Sequence, residues 1–277
     1  MELPEITVLS RQMEKEIVGR RIVEAKVSNE KCLNVPLERF RDIVVGEAVT
    51  SVEGRGKWIF MGIGSGHVLL FNTGMGADVI HFNAEDALPE KYHIKVAFDD
   101  GSGFTVRVWW FCYLHLMPSH EQAEHKLTGE LGMSPLDDGF TLDYFKELLR
   151  GRRGGIKSFL TNQRNVAGIG NVYIQDILFN AGLHPLRRIP SLSEEEVESL
   201  YRSMQSVLRE SIEMGGLAYE KDFYGNHGGY GKEQYKVAYK ADLPCPECGT
   251  TIQKIKTGST ASFICPNCQP RANNKSS

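Results

Sequence analysis

Two cysteine pairs near the C-terminus limit what this chain can become more than any other feature. Cys245 and Cys248 read "CPEC", Cys265 and Cys268 read "CPNC", and residues 249–264 lie between them. Thiolates at that spacing converge on one tetrahedral metal when the intervening chain turns back as a hairpin. The span "TTIQKIKTGSTASFI" has the alternation and the central Gly258 of such a hairpin. Two redox pairs are the competing reading, and the hairpin between them favours zinc. With all four positions filled by protein, one Zn2+ here is structural and leaves no open site for water. Lysines crowd the same region. Lys232, Lys236, Lys240, Lys254, Lys256, Arg271 and Lys275 outnumber Glu233, Asp242 and Glu247, which reads as a local polyanion-binding surface or as a solvated lysine face.

Outside that module only Cys32 and Cys112 remain, too few for a disulfide framework, so a reducing cytoplasm is expected. No run approaches the ~18 apolar residues that span a bilayer. Glu2, Glu5, Arg11, Glu14 and Lys15 interrupt any apolar leader at the start. A net charge of −3 over 277 residues does not advertise a polyanion partner, so positive charge for nucleic acid has to be local. Hydrophobic content of 41% supports a real core, and the length allows two domains with a small third module.

The spacing of Ile6, Leu9, Met13 and Ile17 predicts a helix from Pro4 to Gly19. Short β-branched and aromatic runs follow over 20–27, 46–63, 67–74 and 93–111, cut by turns such as Asp100-Gly101. One helix and many short strands predict a β-sandwich. Helical stripes return over 141–152, 155–163, 171–183 and 193–216, the last opening on a capping box of Ser193 and Glu196. The expected fold class is α+β. A β-sandwich domain covers 1–126, a helical domain 127–235, a zinc finger 236–270 and a polar tail 271–277. Residues 217–235, rich in Gly, Tyr and His, read as a mobile loop.

Gly168-Ile169-Gly170 stands directly before a helix predicted to open at Asn171. Backbone N–H groups there suit a phosphate, although a plain tight turn explains the same residues. The surrounding stretch, "QRNVAGIGNVYIQDILFNAGLHP", closely resembles the helix–two-turn–helix signature of the Fpg/Nei family of bifunctional DNA glycosylases. Further motifs match in order: "ELPE" at the start, "GRGK" at 54–57, Met75 after "LLFNTG", "LGMSPL" at 131–136, "IKSFL" at 156–160 and "CPNCQ" at the end. The resemblance therefore covers nearly the whole chain.

That resemblance implies a β-sandwich with a long first helix, then a helical domain ending in a four-cysteine zinc finger. It implies a base flipped from the duplex and an N-terminal amine that attacks C1′, forms a Schiff base and cuts the strand by elimination. Met1 supplies the amine, Glu2 matches the acid, and Lys57 matches the lysine that contacts the lesion phosphate. Lys157, Asn171, the neighbouring Gly170 and Arg153 match backbone-binding positions. Met75 matches the wedge that fills the vacated space, and Phe111, beside Trp110, matches the aromatic wedge of the opposite loop. Taken singly, Lys57 also reads as a solvated strand-end charge and Met75 as core. The partner implied is DNA, as damaged duplex, abasic site or single strand, bound by a monomer with no membrane.

The chain departs from the family at functional positions. The family's terminal proline is absent, and Met1 occupies its register because "ELPE" aligns without a gap. Glutamate after Met1 predicts that the initiator is retained, which leaves a primary α-amine titrating at about 8. Thr260 stands where the zinc hairpin carries an arginine, and loses its charge and bidentate reach. "WWFC" at 109–112 replaces Arg-Arg-Phe-Gly, which reads either as a stacking surface or as a tryptophan pair in the sandwich core. Asn162, Asp176 and Ser134 replace acidic or longer residues. Two functions follow: a glycosylase and AP lyase working through Met1, or a weakened paralogue that binds damaged, structured or single-stranded DNA without cutting it.

Overall fold

A computed structural model describes residues 1–74 and 76–271 of the chain. Its contacts divide into two compact units, one of residues 1–130 with 214–229, the other of 131–213 with 230 onward. Residues 214–229 thus belong to the first unit, although the sequence pattern grouped them with the helices.

The first unit is a sandwich of two four-stranded antiparallel sheets. Strands β1 (Ile22–Val27), β6 (Ile94–Phe98), β7 (Gly103–Val108) and β5 (Ala77–Phe82) form one sheet in that order. Strands β2 (Val49–Arg55), β3 (Trp58–Ile63), β4 (His67–Asn72) and β8 (Tyr113–Pro118) form the other. Alternation sorts the side chains: Ile59, Met61 and Ile63 enter the main core, as do Val96, Phe98, Phe104 and Val106 of the facing sheet. Strands β5 and β8 and the short helix α2 (Leu37–Val44) were not read from the sequence. Each is brief, and its apolar positions make sense only against the completed sandwich.

Helix α1 (Leu3–Ile17) closes the same core with Ile6, Leu9, Met13 and Ile17, all fully buried. It lies against β2 at Gly54. A Cβ there would come within 2.7 Å of Ser10 Oγ and 3.2 Å of the Ile6 carbonyl, so only glycine admits the helix this closely. The first glycine of "GRGK", Gly54, therefore has a packing role that fixes where the N-terminus begins.

The second unit holds helices α3 (Leu142–Leu149), α4 (Ile156–Leu160), α5 (Tyr173–Asn180) and α6 (Glu194–Glu213), followed by the hairpin β9 (Gln253–Thr257) and β10 (Thr260–Ile264). The capping box is present, with Glu196 N donating to Ser193 Oγ and Ser193 N to Glu196 Oε2. The hairpin sits on a small cluster of Phe179, Val237, Ile252 and Phe263 together with Cys245 and Cys265. Among the described residues no helix is long and apolar enough to cross a membrane.

Candidate nucleic-acid site and terminal amine

The terminus is held by a cap. Glu2 is the N-cap of α1, Pro4 sits in its first turn, and Glu5 completes a reciprocal capping box in which Glu2 N donates to Glu5 Oε2 at 2.8 Å. Met1 keeps 8% of its surface exposed as a residue, whereas its side chain keeps 0%. The thioether is thus turned into the sandwich core, and what solvent can reach of Met1 is main chain. The methionine side chain therefore packs away from the terminal nitrogen.

The segment after α6 is not a loose loop in this structure. Gly216, at φ +89°, passes so near Glu5 that a Cβ would meet its side chain at 3.2 Å. Leu217 N donates to Glu5 Oε1, Phe223 N to Gln12 Oε1, and the Tyr224 hydroxyl to Glu16 Oε1. Glu5, Gln12 and Glu16 are spaced seven and four residues apart, so one face of α1 makes all three of these contacts. Leu217 and Phe223 are buried beneath it. The strap delivers Glu220 to the terminus, with Oε1 3.8 Å from the Met1 nitrogen. Burial pushes the Glu220 carboxyl above its ordinary range, and the terminal amine partly opposes that push. Sequence reasoning missed Glu220, because no local pattern links it to a residue 219 positions earlier.

Lys57 is the second residue of the two-residue β2–β3 turn, whose first, Gly56, has φ +58°. Asn72 fastens this turn to the next loop: its Nδ2 donates to the Lys57 carbonyl and its Oδ1 accepts from Gly74 N, both at 2.8 Å. Gly74 approaches the Phe111 carbonyl too closely for any side chain. Lys57, Gly74 and the 109–111 loop therefore share one end of the sandwich. Met75 lies outside the described residues.

The tryptophans are not core. Trp109, Trp110 and Phe111 are 54%, 76% and 46% exposed, which rules out a buried pair and leaves a projecting aromatic loop. The Arg107 guanidinium covers the Trp109 ring at 4.3 Å, and Phe111 meets Tyr113 edge-on at 5.8 Å. Behind them Trp58 stacks on Tyr113 beside the hydrogen-bonded pair His115 and His125.

In the second unit Lys157 is 5% exposed. Its ammonium lies within hydrogen-bond distance of five oxygens: Asn171 Oδ1, Thr257 Oγ1, Thr260 Oγ1, the Ala261 carbonyl and Ser262 Oγ. Burial lowers its pKa to about 8. Thr260 accepts this charge from below, so the hairpin tip that lacks an arginine sits directly on a lysine. Asn171 binds Lys157 and also accepts from Gln175 Nε2. Helix α5 opens at Tyr173 rather than Asn171, and Gly168 N donates to Gln163 Oε1. Gly170 is buried, and Arg153 is exposed beside Arg150 and Arg152. Asp176 receives Val237 N at 2.8 Å and Ala238 N at 3.1 Å in a buried site that raises its pKa.

Cys245, Cys248, Cys265 and Cys268 bring their sulfurs within 4.8 Å of one another. The sulfur–sulfur separations are 3.8 Å for Cys245–Cys268, 3.4 Å for Cys248–Cys265 and 3.5 Å for Cys248–Cys268. A tetrahedron with metal–sulfur bonds of ~2.3 Å has edges of ~3.8 Å, so the thiols fit Zn2+. A dication is also what lets four thiolates share so small a volume. The chain holds one structural zinc here.

A β-sandwich with an embedded terminal amine, a helical unit and a four-cysteine hairpin in one chain define a class of modular zinc-finger protein. Residues 1–108 match the formamidopyrimidine-DNA glycosylase N-terminal domain, 131–222 its H2TH domain, and 242–271 the zinc finger found in FPG and IleRS. Formamidopyrimidine-DNA glycosylase of Desulforamulus reducens is 33% identical over 97% of this chain and 98% of its own length. That of Bacillus cereus is 29% identical over 98% and 99%. Lactococcus lactis Fpg, solved with DNA containing an abasic site, superposes with a TM-score of 0.88 at 28% identity over 98% of this chain and 100% of that one. MutM with DNA containing carbocyclic 8-oxo-G gives 0.88 and 28% over the same shares. The chain belongs to the formamidopyrimidine-DNA glycosylase family.

Proposed function

We propose that this chain is a base-excision-repair DNA glycosylase with AP lyase activity, and that the Met1 amine is its nucleophile. One observation carries the reading: the amine is fixed at the cap of α1 while the methionine side chain is packed away from it. A primary amine condenses with C1′ of an abasic sugar to an imine, and the imine acidifies C2′ for elimination. Glu2 serves as the acid at the sugar ring, and Lys57 at the turn tip serves the phosphate. Trp110 and Phe111, with Met75, serve as the wedge. Lys157, Asn171, Gly170, Arg153 and Thr260 serve the DNA backbone, Lys157 through the hairpin it supports. The partner is damaged or abasic DNA, as in the solved relatives, and the setting is the cytoplasm.

The deciding experiment is borohydride trapping on duplex DNA with one abasic site, combined with the intact mass of the purified chain. The expected result is a covalent adduct formed by protein that still carries Met1 and lost when the N-terminus is acetylated. A second reading, DNA binding without cutting, is favoured by one observation: where a guanidinium is expected the hairpin tip carries Thr260, whose hydroxyl is engaged by Lys157 and the Thr257 carbonyl. Tight binding to DNA bearing a tetrahydrofuran site, without any adduct on abasic DNA, establishes that reading instead.

A further inference from the structure

We infer that Glu220 is the proton acceptor that frees the Met1 amine. The inference rests on the reading of Met1 as nucleophile and adds the group that activates it.

The carboxylates at the terminus have different tasks. Glu2 and Glu5 cap α1 reciprocally, and Glu5 also receives Leu217 N at 3.1 Å. Glu220 instead faces the amine itself, at 3.8 Å, with its side chain 11% exposed. An ammonium enclosed next to the sandwich core needs a counter-charge, and Glu220 supplies it. The strap that carries Glu220 is anchored on both sides, by Leu217 on Glu5 and by Lys221 Nζ on Asp78 Oδ2 at 3.3 Å. Asp78 of β5 is the other acidic group that acts on Glu220, and its pairing with Lys221 limits that repulsion. A side chain at Gly76 would fall 3.2 Å from the Trp109 ring and 4.0 Å from Glu220 Oε1, so the aromatic loop and this carboxylate flank the same glycine.

The step balances without a co-reactant. One N–H bond of the ammonium breaks and its proton passes to the Glu220 carboxylate. The electron pair left on nitrogen then forms the bond to C1′ of the ring-opened abasic sugar, while the C1′=O π pair moves onto oxygen, which takes up a proton. Loss of water from that carbinolamine gives the imine. Burial, which favours the acid form of Glu220, raises its affinity for that proton. The family's secondary amine is absent here, and a primary amine held as an ion pair needs such an acceptor to react near neutral pH.

Single-turnover trapping rates on abasic-site duplex, followed from pH 6 to 9, test this with Glu220→Gln and Glu220→Asp in the full chain. Affinity for tetrahydrofuran duplex is the control for binding. Glu220→Gln is expected to slow trapping at pH 7 by roughly 10²-fold with unchanged affinity. The deficit should shrink toward pH 9, as hydroxide and solvent increasingly take the ammonium proton in place of the carboxylate. Glu220→Asp should fall between the two. Wild-type rates and an unshifted pH profile in Glu220→Gln overturn the inference. Should that variant not fold, Glu220→Asp decides: slower trapping with unchanged affinity supports the role, and a wild-type rate overturns it. If wild-type protein holds tetrahydrofuran duplex but traps at no pH, the nucleophile reading itself has failed and Glu220 falls with it. That outcome is distinct because the variants are then not needed to see it.

Discussion

Lys157 shows how one residue can read one way in sequence and another in space. The motif "IKSFL" offers it as a cation for phosphate, yet its ammonium is spent beneath the zinc hairpin on hydroxyls of Thr257, Thr260 and Ser262. Among the described residues no carboxylate is one of its hydrogen-bond partners, so burial costs more than the contacts return, and the pKa falls to about 8. The folded chain therefore releases this proton at lower pH than the unfolded chain, whose lysine titrates at about 10.4. Between those values the unfolded state binds more protons, so the contribution of Lys157 to stability rises with pH. Urea unfolding of wild type and Lys157→Met from pH 7 to 10 should show the difference moving in favour of wild type above about pH 8. A constant difference would mean that the lysine keeps its ordinary pKa in the folded chain, as a solvated one would.

At the scale of elements, α1 matters through its starting point. Gly54 lets the helix lie on β2, and the capping box and strap set where Met1 ends. Gly54→Val would push against Ser10 and the Ile6 backbone, which cannot yield as a flexible side chain would. A loss of ~1–3 kcal/mol is expected from such overpacking. The trapping rate should fall further than stability alone explains, because a helix displaced by even a fraction of an ångström moves the amine. Comparing thermal midpoints with single-turnover rates at a temperature where both proteins are folded separates the two effects. Equal rates would show that the position of α1 does not control the amine.

For the whole molecule, the zinc is the point at which covalent-scale bonding substitutes for hydrophobic area. The cluster under the hairpin is small, with Phe179, Val237, Ile252 and Phe263 as its apolar side chains. Metal removal should therefore unfold the finger and leave the sandwich intact. Hydrogen exchange after chelation is expected to rise sharply across 245–268 while β1 to β8 stay protected. Affinity for abasic DNA should drop in parallel, because Lys157 and Thr260 lose the hairpin that organises them. Unchanged protection across the cysteines would show that the hairpin stands without metal.

The amino-acid order alone determined the local elements. Cysteine spacing specified the metal, the three-to-four-residue recurrence in Ile6, Leu9, Met13 and Ile17 specified α1, and alternating apolar runs specified most strands. These signals are local, so they survive reading without a structure. Tertiary structure decided what each charge faces. It drew Glu220 to Met1, turned Lys157 under the hairpin and set the tryptophans on the surface. Such pairings join residues from about 100 to more than 200 positions apart. They depend on packing, where burial and competing hydrogen bonds select one partner from many that composition would allow.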